Sequence, residues 1–264
     1  MNERLNIAFF QQDICWEAPA DNWRMVEQAF ARIDGHIDMM VVPETFTTGF
    51  GDSMAALAET EQGATLDFAR RMAATHDALF VGTWPVVCND GWVYNRLHWV
   101  QPDGEYGFYD KAHTFRVSGE ASQLARGTRR AVFEWRGWRI KPAVCYDIRF
   151  PKWLRNAPLD GQEPLMDYDL LLVCANWPGS RHEAWTTLLH ARAIENMAYV
   201  VGVNRVGEDG CGITYSGNSA AVDFKGLDMV SAQENGTQVV VAELDREALL
   251  SFRSRWPFYL DFDK

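Results

Sequence analysis

Three polar side chains stand where predicted strands end. Glu44 follows MMVVP, Lys111 follows GEYGFYD, and Cys145 follows RIKPAV. Such junctions often hold reactive groups in α/β proteins, because the strand holds the backbone while the loop admits a substrate. A thiolate is a nucleophile, a carboxylate can accept its proton, and an ammonium can stabilise a developing oxyanion. The three residue types therefore make nucleophilic catalysis by Cys145 a candidate function.

Each of these residues also has an ordinary structural alternative. A cysteine after a strand is more often buried packing than a nucleophile, and Cys174 within LLLVCANW illustrates that case. Glu44 can cap a turn, and Lys111 can be a solvated surface side chain. His113 offers another possibility, a Cys–His pair of the kind that papain-like enzymes use. Spacing along the chain does not decide between these alternatives.

The segments that must position these residues alternate between strand and helix patterns. Strand patterns occupy 5–12, 38–44 and 78–87, and helical spacing marks 21–34 and 65–77. The remaining elements are two strands within 94–113 around a turn at 102–104, a hairpin over 131–147, a short helix from Phe150, a strand over 169–178, a helix over 183–197, a strand over 198–207, a hairpin region over 219–244 and a last helix from Asp245. Sheets from both halves need cover on both faces. We therefore expect one α/β domain over 1–264, a sandwich with helices outside two sheets.

Composition describes an ordinary globular chain and narrows its partners. Of the 264 residues, 47% are hydrophobic and 23% are charged, and the formal net charge of -11 argues against a nucleic-acid partner. No stretch approaches the ~20 apolar residues of a membrane span, and the N-terminal apolar run is too short for a secretion signal. We therefore expect a cytoplasmic protein without a membrane partner. The five cysteines include no C-x-x-C pair, and His182 lacks the second histidine of the H-E-x-x-H motif, so neither a disulfide framework nor a metal site is predicted.

The segment 252–264 is unusually apolar for a chain terminus. Its bulky apolar side chains are Trp256, Phe258, Tyr259, Leu260 and Phe262. Apolar groups at this density normally dock onto another surface. We expect this aromatic segment to dock at a subunit interface, with packing against its own subunit as the alternative.

Several stretches resemble, in order and in separation, the nitrilase superfamily of carbon–nitrogen hydrolases. They are VVPETFTTGF (41–50), YDKAHTF (109–115), AVCYDIRFP (143–151), NWP (176–178) and ARAIEN (191–196). The resemblance covers essentially the whole chain and implies a four-layer αββα sandwich. The stretches 134–153 and 191–210 are most similar to the bacterial omega-amidase branch. That branch acts on 2-oxoglutaramate and similar 2-oxo acid amides, which implies a small-molecule amide as the substrate here.

The resemblance also implies roles for the polar residues. Cys145 corresponds to the nucleophile and Glu44 to the general base, while Lys111 and the backbone N–H of Tyr146 would hold the oxyanion. Glu120 matches the family's second glutamate and would orient the substrate or Lys111, the alternative being a solvated loop carboxylate. No metal or organic cofactor is implied. The family resemblance implies a homodimer at least.

A substrate that carries a carboxylate needs a cation in the pocket. Arg116, Arg149 and Arg181 are the candidates, although the proximity of Arg149 to Asp147 favours a structural ion pair for that arginine. The aromatic residues predicted to wall a small pocket are Phe50, Phe115 and Trp177.

Two further classes of function remain open from the sequence. One is another activity of the superfamily, such as that of a nitrilase, an N-carbamoyl amidohydrolase or a deaminated-glutathione amidase. The other is a non-catalytic nitrilase-like binding protein, against which the intact set of Glu44, Lys111 and Cys145 argues.

Overall fold

Two large sheets dominate the computed structural model, which describes residues 3–262. The strands are β1 (Arg4–Gln11), β2 (Met39–Val41), β3 (Glu59–Thr60), β4 (Leu79–Val87), β5 (Val93–Val100), β6 (Tyr106–Asp110), β7 (Phe133–Trp135), β8 (Trp138–Val144), β9 (Leu170–Cys174), β10 (Tyr199–Val203), β11 (Val206–Glu208), β12 (Thr214–Ser216), β13 (Ala220–Val222), β14 (Asp228–Ser231) and β15 (Gln238–Asp245). The α-helices are α1 (Pro19–Phe30), α2 (Ala64–His76), α3 (Glu120–Gln123), α4 (Pro151–Leu154), α5 (His182–Asn196) and α6 (Arg246–Arg255). Short 3₁₀ helices span Arg116–Ser118, Cys145–Arg149, Gly179–Arg181 and Phe258–Asp261.

Each large sheet has a parallel centre and antiparallel edges. The first sheet has the order β15-β1-β2-β4-β5-β6, with β3 beside β4, and the second has the order β14-β13-β10-β9-β8-β7. Strands β1, β2 and β4 are parallel to one another, and so are β8, β9 and β10. The carboxyl ends of parallel strands meet at one edge of a sheet, which is where α/β proteins collect functional side chains.

Alternation along the strands produces the four layers. Leu5, Ile7 and Phe9 of β1 belong to the core between the sheets, whereas Ala8 and Phe10 point to the other face and pack with residues of α1 and α2. Helices α5 and α6 contribute buried residues to the second sheet's side of the core. The four-layer αββα sandwich is confirmed. Within residues 3–262, no helix combines the length and apolarity that crossing a membrane requires.

Local signals set the starts of α1 and α6. Helix α1 begins at Pro19, two residues before the expected start, because proline suits the first turn of a helix. The Asp245 side chain accepts a hydrogen bond from the Ala248 N–H at 2.9 Å and so caps α6 where the sequence predicted a helix start.

Two expectations about the second half were wrong. The region 219–244 is not a local hairpin throughout, because β13 and β14 form a hairpin in the second sheet while β15 pairs antiparallel with β1 in the first. The strand expected over 198–207 ends at Val203, and Val206–Glu208 pairs with Thr214–Ser216 in a separate ribbon. Both differences arise from pairing partners that a local apolar pattern does not specify.

The aromatic segment after α6 is only partly packed. Tyr259 is buried with Met166 and Met197, and the guanidinium of Arg155 lies 3.6 Å from the centroid of the Phe262 ring. In contrast, Trp256, Phe258 and Leu260 are exposed. The last two residues of the expected segment, 263–264, lie outside the described residues.

Candidate active site

A buried ammonium and two buried carboxylates form the centre of the site. The Nζ atom of Lys111, directly after β6, lies 2.8 Å from Glu44 Oε1 and 2.9 Å from both carboxylate oxygens of Glu120. All three side chains are at most 1% exposed. Glu120 is therefore not a solvated loop carboxylate, and Lys111 is not a surface lysine. Charges this deep persist only when they are paired and hydrogen-bonded.

Glu44 is held in place by donors from three directions. Besides Lys111, the Asn95 side-chain amide donates to Oε1 at 2.8 Å, and the backbone N–H of Asn176 donates to Oε2 at 2.8 Å. Asn176 directly follows the Ala175 carbonyl that accepts the Glu44 N–H, so this contact joins the carboxyl ends of the two sheets. The carboxylate is consequently fixed in orientation, and Oε2, which accepts one hydrogen bond from residues 3–262, keeps a free lone pair.

Asn95 is itself oriented by a hydrogen-bond chain that returns to Glu44. The Thr45 N–H donates to Thr83 Oγ1 at 2.7 Å, and that hydroxyl donates to Asn95 Oδ1 at 3.0 Å. Thr45 has a φ of 43°, a left-handed conformation that a β-branched residue rarely adopts. This chain therefore stabilises a strained backbone immediately after Glu44.

Cys145 lies at the junction between β8 and a 3₁₀ helix. Its φ is 45°, which is strained for a residue other than glycine and is common at functional sites. The Sγ atom lies 3.8 Å from the Asn176 carbonyl oxygen, so the thiol is close to the residue that also binds Glu44. The N–H of Tyr146 belongs to the first turn of the 3₁₀ helix, where backbone donors have no partner within the helix.

Burial and charge shift the pKa values of these groups. Burial raises the pKa of Glu44, and the Lys111 charge only partly opposes this shift. Burial and the nearby Glu44 charge raise the pKa of the Cys145 thiol well above its ordinary value. Burial lowers the pKa of Lys111, but the charges of Glu120 and Glu44 outweigh it and raise that pKa overall. The arrangement therefore favours a neutral thiol next to a carboxylate that can take its proton, with a permanent positive charge alongside.

The cluster opens into a cavity of ≈ 450 Å³. Lys111 and Cys145 line it, and so do the three aromatic side chains that the sequence nominated, Phe50, Phe115 and Trp177. Tyr146 lines it as well. The volume suits a small molecule, and the aromatic side chains give the cavity apolar walls.

Two of the three candidate arginines reach this cavity. The Arg149 guanidinium lies 4.8 Å from the centroid of the Trp177 ring, and that of Arg181 lies 5.3 Å from the centroid of Phe115. Both line the cavity, whereas Arg116 is exposed and does not line it. The structure thus brings two arginines to the cavity and leaves Arg116 outside.

The expected ion pair between Arg149 and Asp147 is wrong. The Asp147 carboxylate accepts hydrogen bonds from the Tyr109 hydroxyl at 2.8 Å and from the His113 and Val144 backbone N–H groups at 2.9 and 3.1 Å. These donors occupy the carboxylate, so Arg149 turns to the cavity instead.

His113 does not form a Cys–His pair. Its Nδ1 atom lies 2.7 Å from Asp147 Oδ1, and its ring stacks on Phe150 with centroids 3.7 Å apart. The histidine is therefore engaged by Asp147 and Phe150, and the group next to Cys145 is the Glu44 carboxylate.

Sequence reasoning missed Asn95, Thr83 and the role of Asn176. A signal was available for the first two, because polar residues inside buried strands must find hydrogen-bond partners. Asn176 also has a buried Oδ1 atom without a partner among the described residues. Within residues 3–262, no group of three or more His, Cys, Asp and Glu residues is arranged to hold a metal ion.

Comparisons with known proteins find relatives over nearly the whole chain. The carbon–nitrogen hydrolase family model matches residues 6–254. The omega-amidase YafV of Yersinia enterocolitica is 44% identical over 262 residues, which cover 98% of this chain and 97% of that protein. The 2-oxoglutaramate amidase of Bacillus subtilis is 30% identical over 261 residues, with 98% and 97% covered. XC1258 from Xanthomonas campestris, a CN-hydrolase superfamily protein solved with an arsenic adduct in its active site, superimposes with a TM-score of 0.95 at 41% identity, covering 99% of this chain and 98% of that one.

Proposed function

The chain belongs to the carbon–nitrogen hydrolase family, and from this premise we propose that it is an omega-amidase. It hydrolyses the ω-amide of a small 2-oxo dicarboxylic acid monoamide, 2-oxoglutaramate or 2-oxosuccinamate, to the 2-oxo acid and ammonia. The observation that carries the proposal is the buried Glu44–Lys111–Glu120 cluster beside Cys145, at the base of a cavity that also holds two arginines. The relatives named as omega-amidase and 2-oxoglutaramate amidase support the same substrate class.

Acylation begins when Cys145 attacks the amide carbon. Glu44 takes the thiol proton through its free Oε2 lone pair, so the thiolate forms only as the new C–S bond forms. The carbonyl oxygen becomes an oxyanion, which Lys111 and the Tyr146 N–H stabilise. Glu44 then returns the proton to the leaving nitrogen, the C–N bond breaks, and ammonia departs from a thioester.

Deacylation repeats the same proton transfers with water. Glu44 takes a proton from a water molecule that attacks the thioester carbon, and the oxyanion again lies against Lys111. Collapse expels the Cys145 sulfur, which recovers its proton from Glu44. Glu120 holds the Lys111 ammonium through two oxygens at 2.9 Å, so its role is to position that charge throughout.

The pH dependence of kcat/KM follows from the raised pKa values. Protonation of Glu44 removes the base, and removal of the last proton from the Glu44–Cys145 pair removes the acid that expels ammonia. As the pH is lowered, kcat/KM should begin to fall at a pH above 4.5, the ordinary pKa of a glutamate such as Glu44. As the pH is raised, kcat/KM should fall only above pH 9.0, the ordinary pKa of a cysteine such as Cys145. Steady-state rates measured across pH, with circular dichroism to monitor folding, check both limbs. An acid limb at or below 4.5 contradicts Glu44 as a buried base.

Substrate carboxylate recognition falls to the arginines of the cavity. Arg149 and Arg181 present guanidinium groups to the same space, each flanked by an aromatic ring that limits its hydration. A guanidinium binds a carboxylate through two parallel hydrogen bonds, which fixes the acyl chain and aims the ω-amide toward Cys145.

Arg149→Met should therefore raise KM for 2-oxoglutaramate by about 10- to 100-fold, because it removes the charge-assisted hydrogen bonds of the guanidinium to the substrate carboxylate. The KM for an uncharged amide of similar length should change little. Arg116→Met is the matched control, since that exposed arginine lies outside the cavity. Equal losses for charged and uncharged amides would contradict carboxylate binding by Arg149.

One assay tests the proposed function against its alternatives. The protein is incubated with 2-oxoglutaramate, 2-oxosuccinamate, a simple nitrile, a carbamoyl amino acid and deaminated glutathione, and ammonia and acid products are measured. Release from the 2-oxo acid amides is the expected result. Turnover of another substrate alone would replace the omega-amidase assignment with a different superfamily activity, and no turnover at all would support a binding protein.

We also propose that the enzyme is a cytoplasmic homodimer with a single catalytic domain, and that the aromatic segment 252–264 docks at the subunit interface. The exposed side chains of Trp256, Phe258 and Leu260 support this docking, because solvated apolar groups so close together gain free energy by burial. Light scattering measures the mass in solution and tests the assembly.

A further inference from the structure

Trp16 lies behind the cavity, where three glycines surround its indole. A Cβ atom on Gly49 would lie 2.9 Å from the ring, one on Gly51 would lie 2.3 Å away, and one on Gly210 would lie 2.4 Å away. Gly51 and Gly210 do not have positive φ angles, so their backbones would accept alanine. The close approach of the indole, rather than backbone conformation, therefore explains why these two positions are glycine.

The glycines belong to two different walls of the cavity. Gly49 and Gly51 flank Phe50, whose ring centroid lies 5.0 Å from Lys111 Nζ. Gly210 lies between Asp209 and Cys211, and both of those residues line the cavity. We call residues 49–52 the Phe50 wall and residues 209–215 the hairpin wall. Trp16 does not line the cavity itself but packs against both walls from behind.

The backbone on either side of Trp16 is held by hydrogen bonds. The Cys15 N–H donates to Asn22 Oδ1 at 2.8 Å, and the Cys15 carbonyl accepts from Asn22 Nδ2 at 2.8 Å. On the other side, the Glu17 N–H donates to the Thr48 carbonyl at 2.9 Å. Asn22 is fully buried near the start of α1, so the indole is attached to the rigid sandwich and not to a free loop.

The hairpin wall transmits the position of Gly210 to the cavity surface. The Asp209 carboxylate accepts the N–H groups of Cys211 and Ile213 and the hydroxyl of Tyr215. Because these bonds make the turn one unit, a displacement at Gly210 moves Ile213 and Tyr215, which line the cavity.

We propose that Trp16 is a positioning residue that determines acyl-group selectivity, because its indole sets the separation of the Phe50 wall and the hairpin wall in front of Cys145. The class of substrate selected rests on the proposed function, whereas the effect of Trp16 on the separation of the two walls is independent of it. The indole is half-buried and fills the space against both walls, so removing it leaves room into which both walls relax.

The first experiment measures the shape of the cavity without relying on hydrolysis. Cys145 is alkylated with iodoacetamide and with the bulkier N-phenyl iodoacetamide, and mass spectrometry of the Cys145 peptide gives each rate. Trp16→Ala should raise the ratio of the bulky to the small reagent by about 10-fold or more, since a wider cavity admits the ring. Trp16→Phe should lie between the wild type and Trp16→Ala, and Trp92→Ala, which removes a tryptophan that is 62% exposed on the β4–β5 turn, should match the wild type.

The second experiment measures hydrolysis. Trp16→Ala should lower kcat/KM for 2-oxoglutaramate by up to about 100-fold, mainly through kcat, because the acyl group is no longer held in register with Cys145. Longer amides should lose less, so selectivity between chain lengths narrows. A purely structural role would lower the amount of folded enzyme without changing selectivity or the ratio of alkylation rates.

A suppressor variant completes the test. Gly51→Ala alone forces a methyl group into the indole and should displace the Phe50 wall, lowering kcat/KM. In the Trp16→Ala background the same methyl group has room, so Gly51→Ala should cause little further loss and should bring the alkylation ratio back toward the wild-type value. Thermal unfolding identifies which variants are folded. The comparison of Trp16→Ala with the double variant therefore remains a test even if Gly51→Ala alone folds poorly.

The outcomes separate the two proposals. An alkylation ratio that responds to Trp16 in a protein that hydrolyses no 2-oxo acid amide would support the positioning role and contradict the proposed function. An unchanged ratio in folded Trp16→Ala, together with additive losses in the double variant, overturns the positioning role whatever the protein hydrolyses.

Discussion

Replacing Cys145 with alanine is expected to abolish ammonia release from 2-oxoglutaramate while the protein stays folded. In the proposed mechanism the substitution removes the atom that bonds to the acyl group, and loss of a comparable nucleophile costs about 10⁶-fold in kcat. Because the polar contact of Sγ with the Asn176 carbonyl is long, at 3.8 Å, stability should change little. Ammonia release and thermal unfolding measure the two effects.

Two further variants make this result specific. Cys145→Ser keeps the size of the side chain but replaces the thiol with a far weaker nucleophile, so it should also be inactive. Cys88→Ala is the matched control, because Cys88 is partly buried but lies outside the cavity, where its sulfur accepts from Arg96 at 3.1 Å. Turnover above background in Cys145→Ala would mean that another group attacks the amide.

Replacing Lys111 with methionine is expected to destabilise the fold as well as abolish catalysis. The substitution leaves the carboxylates of Glu44 and Glu120 without their shared ammonium, although both remain buried. Breaking a buried ion pair in this way costs about 3–5 kcal/mol. In the proposed mechanism, loss of the oxyanion donor also lowers kcat by about 100- to 1000-fold. Denaturant unfolding and ammonia release measure the two effects, and Lys152→Met, at an exposed lysine, is the matched control.

The stability lost in Lys111→Met should increase as the pH rises. Burial already raises the pKa of Glu44 and Lys111 lowers it, so removing Lys111 raises that pKa further. A carboxyl group whose pKa is higher in the folded state destabilises the fold at neutral pH, and this cost disappears as the pH falls and the group is protonated in both states. The loss in free energy of unfolding caused by Lys111→Met should therefore be smaller near pH 5 than near pH 8. In the wild type, the raised pKa of Lys111 contributes stability throughout the range below its ordinary value of 10.5.

Lys111→Arg distinguishes charge from shape. It keeps a positive charge, so the carboxylates stay paired and more stability should be retained than in Lys111→Met. The planar guanidinium cannot replace a compact ammonium at the oxyanion, so catalysis should still be lost. A Lys111→Met protein as stable as the wild type at pH 8 would contradict the buried pairing seen here.

Much of the fold was predictable because its signals are local. Apolar runs bounded by turn residues predict β1, β4, β9 and α5, and the hairpin predicted over 131–147 is confirmed as the β7–β8 pair. The partner of β15 was not predictable in this way. Its register matches Leu5 with Leu244 across nearly the whole chain, and the alternating pattern of a strand does not say which edge it joins.

In the site, too, the sequence indicated some features and the folded structure alone decided others. Residue type and position at strand ends nominated Glu44, Lys111 and Cys145, and the resemblance to carbon–nitrogen hydrolases suggested their roles. Burial of Glu120 depends on its ion pair with Lys111 Nζ at 2.9 Å, which is visible only in the folded structure. The orientation of Arg149 depends on competition for Asp147 among donors from other elements.

By itself, then, the sequence determined most of the elements, the reactive residue types and the family, because these follow from local propensity and from ordered motifs. Only the tertiary structure decided which arginines face the cavity, which histidine is excluded from it, and that Trp16 touches both walls through Gly51 and Gly210. The physical reason is that these contacts join segments far apart in the chain. Each depends on the three-dimensional packing of side chains, whose partners no single stretch of sequence specifies.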